Sequence, residues 1–149
     1  MQSRRTFLRV VGAGAAVSMI PLVSACGAKP GGQSEASGSF SGGNVQGLQP
    51  GAPRVLSQPV VVILDDQGVY AMSTICTHAQ CDMKSDGSIS ANSLVCSCHG
   101  SEFDVDGNVL RGPAGAPLPH YAVTIDSAGA ITVNADKRVS ADTRAAVPS

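Results

Sequence analysis

Tryptophan is absent from this 149-residue chain, and its aromatic residues are two tyrosines and three phenylalanines. The core must therefore be assembled from Val, Ile, Leu and Ala. A core that modest is expected to lean on covalent or metal cross-links. Charge is scarce as well, at 14% of residues. The formal net charge of −1 hides an asymmetry, because Arg4, Arg5 and Arg9 crowd the N-terminus. Beyond Cys26, seven basic residues face eleven acidic ones, a net of −4. A mildly acidic surface argues against a nucleic-acid partner. Beyond the N-terminal region no segment keeps a helical period, which excludes a helix bundle.

The chain offers instead short strands separated by turns. Val60–Leu64 is a continuous apolar run, followed by Asp65-Asp66-Gln67-Gly68 and then Val69–Met72, which reads as a hairpin with a four-residue loop. Phe103–Val105 and Val109–Leu110 flank Asp106-Gly107, a strong short-range hairpin signal. Tyr121–Ile125 turns at Asp126–Gly129 and returns through Ile131–Val133. The fold class is all-β.

The N-terminus reads as an export signal. Arg4 and Arg5 precede a small-residue apolar run from Val10 to Val23, and the paired arginines look like the twin-arginine type. A spanning helix needs about 20 mostly apolar residues, so residues 1–25 read as a signal peptide rather than an anchor. The run ends at Val23-Ser24-Ala25-Cys26, which resembles a bacterial lipobox with lipid attached to Cys26. Residues 26–52, rich in Gly, Ser and Pro, read as a flexible linker. Residues 53–136 hold the functional domain, and 137–149 read as a mobile polar tail.

Two boxes carry the chemistry. Cys76-Thr-His78-Ala-Gln-Cys81 and Cys96-Ser-Cys98-His99-Gly-Ser101 hold four of the five cysteines and two of the three histidines. Together they can supply two thiolates and two imidazoles to one metal centre. Residue types alone leave other readings open. Cys₂His₂ is a common zinc set, although zinc fingers pair Cys with Cys and His with His, whereas here each box mixes them. A metal-free pair of disulfides would leave His78 and His99 without a role. His120 has no ligand-type spacing and reads as an ordinary loop histidine.

The pattern CxHxxC…CxCHGS resembles the Rieske iron–sulfur proteins, over roughly residues 55–134. The resemblance implies an antiparallel β-sandwich with cluster-binding loops and a 2Fe–2S cofactor. It places Cys76 and Cys96 on one iron and His78 and His99 on the other. It implies a disulfide between Cys81 and Cys98, as in the quinol-oxidising branch, and hence an oxidising compartment. Ser101 matches the position whose hydroxyl bonds a bridging sulfide in high-potential members. Phe103 stands where those members have Tyr, so the expected potential falls below the top of the family range, which runs from about −150 to +300 mV. Gly112-Pro113 match a loop that covers the cluster.

The implied function is one-electron transfer as a subunit of a quinol-oxidising or other respiratory-type complex, not catalysis by this chain alone. Implied partners are quinol or a cytochrome or molybdoenzyme subunit, with the chain tethered by a lipid anchor on the exported side of a bacterial membrane. The alternatives are a stand-alone lipid-anchored carrier and the small subunit of an arsenite-oxidase-like enzyme. A Rieske oxygenase would need a further mononuclear-iron domain, for which no spare His/carboxylate set exists.

Overall fold

The computed structural model describes residues 33–149. Arg4, Arg5 and Cys26, the export and lipid-attachment residues expected from sequence, lie outside the described residues. Among the described residues, ten strands make two antiparallel sheets. The larger holds β1 (Ser39–Asn44), β2 (Arg54–Val55), β3 (Val60–Leu64), β4 (Val69–Ser73), β9 (His120–Ile125) and β10 (Ala130–Val139), in the spatial order β1-β10-β9-β4-β3-β2. The smaller holds β5 (Gly87–Ile89), β6 (Leu94–Cys96), β7 (Glu102–Phe103) and β8 (Val109–Arg111) in sequence order. Among the described residues, no helix is long and apolar enough to cross a membrane.

The three hairpins legible in the sequence are present, each closed by an aspartate. Asp65 Oδ1 accepts the Gln67 and Gly68 amides, Asp104 Oδ1 those of Asp106 and Asn108, and Asp126 Oδ1 those of Ala128 and Ala130. This is the Asx-turn chemistry that favours Asp at such corners. The continuous apolar run of β3 also has a structural reason. An antiparallel strand usually buries one face, but β3 and β4 are buried on both. Val61, Ile63, Tyr70 and Met72 face one core with Leu94, Phe103 and Leu118. Val60, Val62, Val69 and Ala71 face a second core with Tyr121, Ile131 and Val133. The first core also contains Cys76 and Cys96, which sets the site on an apolar floor.

Three expectations differ from the structure. Residues 39–44, assigned by composition to a flexible linker, form β1 against β10, and Leu48 beyond them is buried. The small side chains serve close packing there: a Cβ on Gly42 would clash with the side chain of Ile131. The polar stretch from 137 onward is held as well. β10 runs to Val139, Ala145 exchanges backbone hydrogen bonds with Val69, and Arg144 pairs with Asp65 at 2.6 Å and Asp106 at 2.7 Å. His120 opens strand β9 and is buried, not a loop residue.

Candidate metal centre

The two boxes fold into loops of the same design. In the first, the Cys76 amide donates to the Cys81 carbonyl at 2.8 Å, and the Gln80 amide donates back to the Cys76 carbonyl at 2.9 Å. In the second, the Cys96 amide donates to the Ser101 carbonyl at 2.8 Å, and the Gly100 amide to the Cys96 carbonyl at 2.9 Å. Each loop turns through a left-handed residue at its fifth position, Gly100 at φ +80° and Gln80 at φ 59°. Glycine takes that conformation freely, and a non-glycine residue there is uncommon. The first loop emerges from β4 and the second from β6, so each sheet contributes one.

The disulfide between Cys81 and Cys98 joins the two loops. Cys76 and Cys96 are the free cysteines among the described residues, and both are buried at 1% exposure. His78 and His99 are exposed and meet edge-to-face, their ring centroids 4.8 Å apart at 80°. Two thiols are thus buried in the apolar floor, and two imidazoles meet at the solvent boundary. The sulfurs of Cys81, Cys96 and Cys98 also fall within 4.8 Å of one another. That trio cannot act as a ligand set, because two of its members are bonded to each other.

Burial pushes the Cys96 thiol up, and a contact with the Cys76 thiol adds to this, while the backbone amides of Cys98 and His99 donate to the sulfur and oppose the shift. Soft thiolates inside and imidazoles outside are a donor set that fits an iron–sulfur group. Backbone amides aimed at a ligand sulfur are the kind of outer contact that tunes such a group.

A third loop, 112–118, closes over both boxes. The Ala114 amide donates to the buried Ser101 Oγ at 3.0 Å, and the Thr77 hydroxyl donates to the Ala116 carbonyl at 2.6 Å. Gly112 and Pro113 themselves are exposed. Phe103 is fully buried in the core that holds Cys76 and Cys96. Several supporting residues escaped the sequence reading. Thr77 gives no motif signal. Asp82, buried behind the first box, accepts the Thr74 hydroxyl at 2.6 Å and the Lys84 amide at 3.0 Å. The adjacency of Asp82 to Cys81 was its only trace in the sequence.

Comparison with known proteins converges on one family. The sequence profile of the Rieske [2Fe-2S] domain matches residues 41–122. The cytochrome b6-f complex iron-sulfur subunit of Prochlorococcus marinus (strain MIT 9515) is 40% identical over 82 residues, covering 55% of this chain and 43% of that protein. The corresponding subunit of Cyanothece sp. (strain PCC 7425 / ATCC 29141) is 41% identical over 70 residues, covering 44% of this chain and 38% of that protein. The chain thus spans less than half the length of these curated relatives. Among solved structures, a chain from the complex of reduced oxygenase and oxidized ferredoxin in carbazole 1,9a-dioxygenase matches with a TM-score of 0.51 at 24% identity, covering 70% of this chain and 100% of that one. At that identity the match speaks for the fold alone.

Proposed function

This chain belongs to the Rieske [2Fe-2S] domain family, and from that membership we propose that it passes single electrons from quinol as the iron–sulfur subunit of a cytochrome b6-f-type complex. The observation that carries the reading is the pairing of two buried free thiols, Cys76 and Cys96, with two exposed imidazoles, His78 and His99, in loops joined by a disulfide. Cys76 and Cys96 would hold one iron and His78 and His99 the other. The 2Fe–2S cluster, when bound, supplies one-electron redox chemistry.

The remaining work falls to the chain. The apolar floor of Met72, Met83, Leu94, Phe103 and Leu118 excludes water from the thiolate side. The imidazoles stand in solvent, so the ring nitrogen that each would not give to iron would remain open to a hydrogen bond with a donor. Ser101 is fixed by the Ala114 amide, which leaves its hydroxyl hydrogen available to donate. The disulfide limits separation of the two loops and suits an oxidising compartment. That compartment agrees with export through the Arg4-Arg5 signal and tethering by lipid on Cys26.

Affinity purification of the full chain from solubilised membranes tests the assignment. A cytochrome b subunit copurifying with the chain, and reduction of the preparation by a quinol, are expected. An isolated monomer that quinol does not reduce would contradict it.

A further inference from the structure

The N-terminal end of the described residues is bonded to the first of the two Cys/His loops, a contact that electron transfer itself does not require. The Gln33 amide donates to the Gln80 carbonyl at 2.9 Å. Gln80 is the left-handed residue of the first box, and its own amide donates to the Cys76 carbonyl. Two residues on, one carboxylate oxygen of Glu35 receives two hydroxyls, Ser73 Oγ at 2.8 Å and Tyr121 Oη. Ser73 is fully buried and in turn accepts the amide of Ile75, the residue before Cys76, at 3.0 Å. Tyr121 is also buried, and burial first and the Glu35 carboxylate second push it up to about 12, so it remains a donor at physiological pH. Ala36 then packs on the second core, the Gly38 amide donates to Asp136 Oδ1 at 2.9 Å, and the Gly38 carbonyl accepts the Ala135 amide.

A spacer that only cleared a surface would leave Glu35 in water. Here the carboxylate exchanges water for two hydroxyl donors from two different strands, β4 and β9, and charge-assisted bonds of this kind are directional. The bonded stretch also runs unbroken from Gln33 into β1, so the chain enters β1 from beside the first box.

We propose that residues 33–38 form a docked collar, latched by Glu35, which makes the upstream chain leave the domain beside the first cluster loop and so turns the cluster end toward any upstream attachment. Glu35 is a positioning residue that acts through Ser73 on the peptide leading into Cys76. If Cys26 carries the lipid, the seven residue steps to Gln33 span at most about 25 Å, and the two boxes stay close to the membrane surface. Only this last consequence and one of the two readouts rest on the proposed function.

Two measurements on the full chain test the collar. Amide hydrogen exchange needs no metal: Glu35→Ala is expected to speed exchange at Gln33 and Ile75 at least tenfold, with Glu35→Gln, which keeps one acceptor oxygen, in between. Unchanged exchange at both amides in Glu35→Ala overturns the proposal. In the reduced, cluster-loaded, isotope-labelled protein, the unpaired electron broadens nearby amide resonances. Broadening is expected at Gln33–Ala36 as well as at 77–80 and 97–100, and Glu35→Ala sharpens only Gln33–Ala36. Sharp Gln33–Ala36 signals beside broadened boxes overturn the collar. Absence of broadening at the boxes themselves contradicts the ligand assignment instead, and exchange then decides the collar.

Discussion

The hydroxyl oxygen of Ser101 accepts the Ala114 amide at 3.0 Å in a fully buried setting. That bond occupies a lone pair and leaves the hydroxyl hydrogen without a protein acceptor among the described residues. The 112–118 loop thus holds the Ser101 oxygen while its hydrogen stays available to donate.

Removing this donor should lower the reduction potential, because a hydrogen bond to sulfur favours the more negative, reduced state. A bond to a charged group is worth about 1.5–3 kcal/mol, and only its gain on reduction moves the potential, so the fall in Ser101→Ala should reach at most about 60–130 mV. Ser101→Thr keeps the hydroxyl and should shift far less. Protein-film voltammetry reads both, and equal potentials in all three proteins would sink the assignment.

Phe103→Tyr should move the potential the other way. Phe103 shares one buried cluster with Cys76 and Cys96, so a hydroxyl added there enters the apolar core that holds both sulfurs. The core is filled, and the added atom should also destabilise the fold by about 1–3 kcal/mol. An unchanged or lowered potential would show that the hydroxyl points elsewhere.

The sequence made the site more legible than its frame. The two Cys/His boxes stand out by residue type, while the resemblance alone separated Cys76, His78, Cys96 and His99 as ligands from the Cys81–Cys98 pair, which the structure joins in a disulfide. The hairpins were readable because Asp65, Asp104 and Asp126 act locally. β1 was not, since Ser39–Asn44 has the composition of a linker and becomes a strand only by pairing with β10 across the sequence. Arg144 was equally silent, because its partners Asp65 and Asp106 are 79 and 38 residues away. Thr77 and Glu35 gave no sign for the same reason: their roles are tertiary.

Arg144 holds the C-terminal strap. Its guanidinium lies 3.8 Å over the Tyr70 ring and pairs with Asp65 and Asp106. Both carboxylates keep solvent contact, so Arg144→Ala should cost only about 1–3 kcal/mol in urea unfolding at neutral pH. The acid limb should change too. Burial pushes the Asp65 carboxyl up, but hydrogen bonds from Arg144 and from the Gln67 and Gly68 amides outweigh this and hold it below its usual value. Its contribution is therefore full above the unfolded value near 3.9 and fades as pH drops through the lower folded one. Arg144→Ala should remove most of that acid-limb dependence, and a profile parallel to the wild type would contradict the account.

His120 should make the fold sensitive to mild acid. Its Nδ1 lies 3.2 Å from the Leu118 carbonyl, which can only accept, so Nδ1 carries the proton and the buried Nε2 is left without a partner. Burial lowers the His120 pKa, the Leu118 bond opposes this, and the nearby Arg144 charge adds to the lowering. The unfolded chain then binds the proton first. Stability is complete above about pH 6.5 and falls below it by up to about 1.4 kcal/mol per pH unit, until the folded-state value is reached. His120→Phe should flatten this part of the profile relative to the wild type. Superimposable slopes between pH 6.5 and 5 would contradict it.

The assignment of two cysteines and two histidines to one 2Fe–2S centre is tested most directly by pulsed electron paramagnetic resonance of the reduced full chain labelled with ¹⁵N-histidine. The account predicts coupling to two imidazole nitrogens, with one lost in His78→Cys and the other in His99→Cys, and no effect from His120→Phe. A paramagnetic centre without histidine nitrogen coupling, or a chain that binds zinc and gives no signal on reduction, would contradict it.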